Sequence, residues 1–379
     1  MKLIHLSDLH LGKRVYEYSM LEEQEIILKR VLSIIDEEKP DGVIIAGDVY
    51  DKSMPSAEAV SLFDDFIFQL AQRKQQVFVI AGNHDSPERI AFGSRIMDIG
   101  GIHMSPVYNG TIEPICLNDD YGNINVYMLP FVKPVLVRRY YEDADITSYT
   151  DALRCVIGNM AIDTSKRNIL VTHQFVTGAS RTESEDISVG GSDNVDADIF
   201  EQFDYVALGH LHSPQNCGSD RIRYCGTPLK YSFSEAKDQK SVTVVELLQK
   251  GEVSYRTIEL IPLHDLVELK GSYEELTLKS FYEDTTWQED YTHITLTDEE
   301  DIPEAIGRLR TVYHHLMKLD YDNKRTRSSL FISGDSEVEN KTPFELFSDF
   351  YELQNNQPMS VEQAAYMKEL IEKTWEGNQ

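Results

Sequence analysis

Cysteine is scarce in this 379-residue chain, and its four residues (Cys116, Cys155, Cys217 and Cys225) form no CxxC pair. That argues against a thiolate zinc site and a disulfide framework, and points to a reducing, cytoplasmic setting. Basic residues are also short: 36 Lys and Arg face 64 Asp and Glu, a formal net charge of −28. This argues against the chain alone acting as a general nucleic-acid coat, because phosphate binding normally needs a basic footprint. A nucleic-acid enzyme is not excluded, since bound dications cancel several site carboxylates. Lys13-Arg14, Lys133, Arg138-Arg139 and Lys324-Arg325-x-Arg327 are local basic clusters, ordinarily solvated surface. No apolar run approaches the roughly 20 residues that a membrane helix needs. Only a short apolar stretch follows Met1-Lys2, so no secretory leader is expected.

What the chain does have is five short apolar runs, mostly of β-branched residues, each running into a polar motif. LIHLSDLH carries Asp8 and His10, VIIAGDVYD carries Asp48, and VFVIAGNHD carries Asn83; ILVTHQF carries His173, and YVALGHLH carries His210 and His212. Runs of this kind read as strands of a sheet covered on both faces, and functional groups in α/β folds gather where such strands end. The runs predict strands over 2–6, 43–46, 77–80, 168–172 and 205–208. Helices are predicted at about 20–37, 56–73 and 150–163, with Pro40-Asp41-Gly42 ending the first and Ser56 capping the second. Alternating segments at 111–117 and 123–129, and at 241–248 and 252–260, read as hairpins. The first 260 residues or so therefore predict an α/β fold of two packed sheets flanked by helices.

The rhythm changes after Pro262. Strands at 266–270 and 291–297, a helix at 273–280, a helix from Pro303 to about Met317 and a last strand near 328–333 outline a small α+β module. From Thr342 two amphipathic helices follow, PFELFSDFYEL and SVEQAAYMKELIEKTW, the second with the Ser360/Gln363 capping box. On its own pattern this tail serves either as a packed terminal element or as a docking site. The expected division is 1–262, 263–340 and 341–379.

Imidazole, carboxylate and amide oxygen make a mixed N/O ligand set that suits Mn²⁺, Fe²⁺ or Zn²⁺ in a reactive site. Seven ligands exceed the needs of one tetrahedral ion, so two divalent ions are expected, with Asp48 as the shared carboxylate. His84, beside Asn83, should face the cleft without binding metal, as a charge stabiliser or proton donor oriented by Asp85. Asp51 is expected to accept a hydrogen bond behind the ligands. His5 and His103 lack such context and read as structural.

Together, Asp8-Leu9-His10, Gly47-Asp48-Val49-Tyr50-Asp51, Gly82-Asn83-His84-Asp85, His173 and Gly209-His210-Leu211-His212 resemble the five signatures of the calcineurin-like metallophosphoesterases. Tyr224-Cys225-Gly226-Thr227-Pro228 through Phe233-Ser234-Glu235 is similar to one branch of that family, the bacterial double-strand-break repair nucleases. The resemblance implies a four-layer α/β/β/α sandwich with a small α+β capping domain over a DNA path. It implies one ion on Asp8, His10, Asp48 and His212, a second on Asp48, Asn83, His173 and His210, and His84 as the catalytic histidine, with manganese the first expectation. It further implies a homodimer through helices near 56–73 and 88–100, and a tail gripping a coiled-coil ATPase, two copies of each per complex. The implied activity is exo- and endonucleolytic cleavage at DNA ends and hairpins in repair and recombination. The alternative is a phosphodiesterase or phosphatase for a small substrate; a non-catalytic scaffold is disfavoured because every ligand position is filled.

Overall fold

The computed structural model describes residues 1–185, 194–324, 326, 342–355 and 357–376, and the chain divides into two compact units, Met1–Asp265 and Leu266–Gln379. In the first unit the main strands are, in chain order, β1 (Lys2–Leu6), β2 (Gly42–Ala46), β3 (Gln76–Ile80), β4 (Ile102–Met104), β5 (Ile115–Asp119) and β6 (Gly122–Leu129). They continue with β7 (Arg167–His173), β8 (Tyr205–Gly209), β9 (Gln215–Cys217), β10 (Ser219–Tyr224), β11 (Ser241–Leu247) and β12 (Val253–Glu259). One six-stranded sheet has the order β12-β11-β1-β2-β3-β4 and the other β9-β10-β8-β7-β6-β5. Strands β1 to β4 run parallel, as do β6, β7, β8 and β10. The two hairpins supply antiparallel edges.

The sheets face one another through a shared apolar layer. Leu3, Ile44, Phe78 and Val245 from the first sheet interdigitate with Val126, Ile169, Val171 and Ala207 from the second. Successive side chains of a strand point to opposite faces, and here both faces are buried: Leu170, Val206 and Leu208 turn outward onto Leu153, Val156 and Ile157 of helix Tyr149–Gly158. Ile4, Val43, Ile45, Val77 and Val79 are fully buried on the outer side of the first sheet. The two long helices that follow β1 and β2, α1 (Leu21–Glu38) and α2 (Ala57–Gln72), carry matching buried stripes, Ile27, Leu28, Val31 and Ile35 on one and Phe63, Phe66, Ile67 and Leu70 on the other. The fold is thus an α/β sandwich in the layer order α/β/β/α. A buried polar bolt joins its two sheets: His5 of β1 meets the Tyr205 hydroxyl at 2.9 Å and donates to the Leu208 carbonyl at 3.2 Å. Burial first, then Arg223, pushes this imidazole down to about 3, so it is neutral and structural.

Three local expectations are corrected. The helix expected over 150–163 ends at Gly158, where Asn159 folds back to cap the Cys155 carbonyl at 2.8 Å. The helix at 273–280 breaks at Leu278, whose backbone is extended between Tyr273–Thr277 and Lys279–Tyr282. The helix from Pro303 to Met317 is confined to Ala305–Leu309, and His315–Tyr321 is a strand instead. There the β-branched and aromatic run Thr311-Val312-Tyr313 disfavours helix, and strand Tyr291–Leu296 gains a partner on its second edge. Among its described residues the second unit therefore forms a three-stranded parallel sheet, with Leu266–Gly271 and His315–Tyr321 on either side of Tyr291–Leu296. Its core holds Leu276, Ile294, Leu296, Leu309 and Tyr313. Two helices follow, Pro343–Asn355 and Val361–Glu376, and the Ser360/Gln363 capping box forms in both directions. The strand expected near 328–333 lies outside the described residues.

Phe78 is fully buried between the sheets. Phe78→Ala is expected to destabilise the first unit by about 3–5 kcal/mol, read as a lower urea midpoint at unchanged slope.

Candidate metal centre

All five motifs sit at the carboxyl ends of neighbouring parallel strands, three from the first sheet (β1, β2, β3) and two from the second (β7, β8). The loops after β1 and β2 continue to pair beyond the strands: Asp8 N donates to Gly47 O at 3.0 Å and His10 N to Asp48 O at 3.0 Å. To turn their side chains inward, Asp8 (φ 53°), His10 (φ 45°), Asp48 (φ 47°) and His210 (φ 104°) all take left-handed backbone conformations. Such conformations cost non-glycine residues of order 1–3 kcal/mol each and collect at functional sites. Two glycines make the approach possible. A Cβ on Gly82 would collide with the carboxylate and backbone nitrogen of Asp48, and one on Gly209 with the Ala46 carbonyl.

The predicted ligands converge in two overlapping groups. His10 Nε2 lies 3.2 Å from His212 Nε2 and 3.8 Å from Asp48 Oδ2, and Asp8, His10 and His212 each bring a ligand atom within 4.8 Å of the others. On the other side, Asn83 Oδ1 lies 3.0 Å from His173 Nε2 and 2.9 Å from His210 Nδ1, and His173 Nε2 lies 3.2 Å from Asp48 Oδ2. Asp48 belongs to both groups. Its other oxygen accepts the backbone N–H of His84 at 2.9 Å.

These residues fit divalent cations. His173 Nδ1 lies 2.9 Å from the Ala46 carbonyl, which can only accept, so Nδ1 carries the proton. Nε2 then faces two acceptors at once, Asn83 Oδ1 and Asp48 Oδ2, more lone pairs than one ring proton serves, and a cation among them satisfies all three groups. On the first side His10 Nδ1 is buried without a hydrogen-bond partner. The electrostatics carry the same imprint. Burial raises Asp8, reinforced by Asp48. Burial works the same way on Asp48, but His173, His10 and His84 outweigh it and hold that carboxyl well below the usual range. His173 is raised to about 9 because Asp48 and Asp8 overcome its desolvation. Burial, with His173 beside it, lowers His210 to about 3.

The two accessory carboxylates and the neighbouring histidine are placed as follows. His84 Nδ1 sits 3.1 Å from the Asp51 carbonyl, its Nε2 is 3.9 Å from Asp48 Oδ2, and at 21% exposure its side chain is the open edge of the cluster. Asp51 Oδ1 lies 3.8 Å from His10 Nδ1 and 2.9 Å from Lys13 Nζ. Asp85 differs from the expectation that it orients His84. Its carboxylate accepts the backbone N–H groups of Gly82, Val49 and Tyr50 at 2.9, 3.1 and 3.0 Å, locking the β2 loop to the β3 loop. Burial, with Asp48 adding repulsion, raises it to about 7. The chain turns Asp85 toward those donors because three backbone amides at two strand ends outcompete one half-buried imidazole.

Sequence reasoning misses a supporting layer. Gln24 of α1 donates to the His10 carbonyl at 2.7 Å, and Tyr231 donates to the Leu9 carbonyl at 2.6 Å. Glu185 accepts the His212 backbone N–H at 2.6 Å, and the Ser184 hydroxyl meets His212 Nδ1 at 2.6 Å. Arg181 stacks 3.7 Å over Phe175, which neighbours His210. A polar Gln inside the apolar stripe of α1 is the one legible signal among these.

Residues 1–214 match the profile of the calcineurin-like phosphoesterase family, and residues 262–355 match that of the type 5 capsule protein repressor C-terminal domain. The chain belongs to the calcineurin-like phosphoesterases. The SbcD component of nuclease SbcCD from Staphylococcus epidermidis is 30% identical over 378 residues, 98% of each chain. Its namesake from Staphylococcus saprophyticus is 33% identical over 323 residues, 84% of each. Within the phosphoesterases the chain falls with the SbcD nucleases.

Gly82→Ala tests the close packing on Asp48. The variant is expected to lose divalent-metal content by elemental analysis and about 100-fold in phosphodiesterase rate, the usual consequence of misplacing a site by an ångström.

Proposed function

We propose that this chain is a two-metal DNA nuclease that cleaves phosphodiester bonds at double-strand ends and hairpins, in partnership with an SbcC-type ATPase. The observation that supports the reading most is the pair of ligand groups sharing Asp48, at strand ends of a phosphoesterase sandwich. Asp8, His10, Asp48 and His212 would hold one ion, and Asp48, Asn83, His173 and His210 the other. Mn²⁺ is the ion proposed, Fe²⁺ and Zn²⁺ being compatible with the same donors. When bound, such a pair neutralises the charge that builds on the phosphoryl oxygens and activates the attacking water.

The protein residues do the rest. Asp48 holds the two groups in register, and Asp85 keeps the Asp48 and Asn83 loops together through backbone amides. His84 donates Nδ1–H to the Asp51 carbonyl, which fixes the ring and leaves Nε2 at the open edge. From there Nε2 can hydrogen-bond a phosphoryl oxygen or give a proton to the leaving oxygen. The acidic surface, at −28 formal charge, calls for help in meeting DNA, and an ATPase partner would supply it. The SbcCD name of the relatives supports that partner. We assign its docking to the tail, where Phe350 and Tyr366 expose 57% and 65% of their surface. A homodimer is proposed through α2 and the region where Phe92, Ile96 and Ile99 stand 78–88% exposed, giving two copies of each protein in the complex. A cytoplasmic site of action fits four free cysteines, and no described helix is long and apolar enough to cross a membrane.

With Mn²⁺ the protein is expected to cut hairpin and duplex-end DNA. His84→Ala should abolish cleavage yet keep both ions, whereas Asp48→Ala should lose both. Brisk turnover of a nucleotide with no cleavage of any DNA substrate would instead favour a small-substrate phosphodiesterase. For the tail, Phe350→Asp with Tyr366→Asp should keep nuclease activity and abolish co-purification with SbcC; undiminished co-purification moves the docking site elsewhere.

A further inference from the structure

Behind His212 lies a chain of buried polar groups that no step above uses. Lys240 Nζ donates to Glu235 Oε2 at 2.6 Å and to the His212 carbonyl at 2.9 Å. Glu235 is fully buried, and its other oxygen accepts the Ser184 hydroxyl at 2.6 Å. The same hydroxyl oxygen lies 2.6 Å from His212 Nδ1. The four groups come from three distant stretches of chain, and Lys240 is almost fully buried. A buried lysine and glutamate in contact are both charged, because either alone would be left desolvated and uncompensated.

The polarity of the chain follows from donor counting. Lys240 has only protons to give, and the Glu235 carboxylate has only lone pairs. Ser184 has a single hydroxyl proton, and a carboxylate 2.6 Å away claims it. The hydroxyl oxygen can then meet His212 Nδ1 only by accepting, so Nδ1 must carry the ring proton. In the neutral imidazole Nε2 is left as a lone pair, and Nε2 is the atom that faces His10 Nε2 at 3.2 Å. The reverse polarity would point two oxygen lone pairs at each other inside a dry site.

We infer that Ser184 is a positioning residue: relaying the Lys240–Glu235 ion pair, it fixes His212 as the Nδ1–H tautomer and so aims Nε2 at the metal centre. The inference rests on the metal-centre reading given above. Partners of this kind orient ligand imidazoles and raise their basicity, and losing one typically costs about 10–100-fold in metal affinity. The relay passes through a hydroxyl carried by a separate segment, which Glu185 ties to the same histidine through the His212 backbone N–H. Segment 182–185 therefore holds His212 by both ring and main chain.

The test uses ¹⁵N-histidine NMR of the metal-free full chain at mildly alkaline pH, followed by Mn²⁺ titration. Wild type should show the Nδ1–H pattern for His212 and two Mn²⁺ sites. Ser184→Ala should shift His212 toward the Nε2–H pattern and weaken one of the two sites about 10–100-fold, and Ser184→Thr, which keeps the hydroxyl, should restore both readouts. An unchanged Nδ1–H pattern with unchanged Mn²⁺ affinity in Ser184→Ala overturns the inference. So does loss of the fold or of both sites equally in that variant, which would mark Ser184 as merely structural. Wild type that binds no Mn²⁺ yet shows the Nδ1–H pattern would defeat the metal-centre reading, while leaving the tautomer control by Ser184 standing.

Discussion

Asp48 is a carboxylate with almost no access to water, turned by a left-handed backbone among three imidazoles, His10, His84 and His173, and a second buried carboxylate, Asp8. Burial of two acids this close is costly unless something positive sits between them. The imidazoles supply part of that charge, and His173 is pushed toward protonation for the purpose. The oxygens of Asn83 and Asp48 converge on the single Nε2 of His173, an arrangement that one ring proton satisfies poorly. The rest of the first unit can be understood as the frame that holds this unfavourable convergence in place.

The frame works because the parallel strands of two mixed sheets end at the same level. In each, β-strands deliver their carboxyl ends to one side, and the shared apolar layer fixes the sheets against one another. Gly82 lets the β3 loop touch the β2 loop within the first sheet, and Gly209 lets β8 touch β2 across the seam, where a side chain at either position would collide. The Ala46 carbonyl is the crossing point: it accepts from His173 of the opposite sheet and lies against Gly209. Asp85 performs the corresponding task within the first sheet. The stability of the core thereby keeps four strained residues and a crowded set of charges in register.

The parts of this arrangement that a sequence can disclose are those with short-range signatures. Strands such as VIIAG and ILVTH show as uninterrupted β-branched runs, and the polar residue that ends each run announces the seven converging side chains. Ser56 and Ser360 mark their helix starts because capping is decided within four residues. The second unit is harder to read: Pro303 to Met317 reads as one helix, and the Thr311-Val312-Tyr313 run together with the pairing edge offered by Tyr291–Leu296 ends it at Leu309 and makes His315–Tyr321 a strand. Asp85 is misread for the same reason, since its three amide donors come from two loops, as far as 36 and as near as 3 residues away. Ser184, Glu235 and Lys240 acquire meaning only when three separate segments meet.

The central claim is that two cations share Asp48, and anomalous diffraction from crystals grown with Mn²⁺ tests it most directly. Two anomalous peaks about 3.5–4 Å apart, with an Asp48 oxygen between them, Asp8 and His212 on one side and Asn83 and His210 on the other, are the predicted result. A single peak, or two peaks with Asp48 bound to neither, would contradict the account.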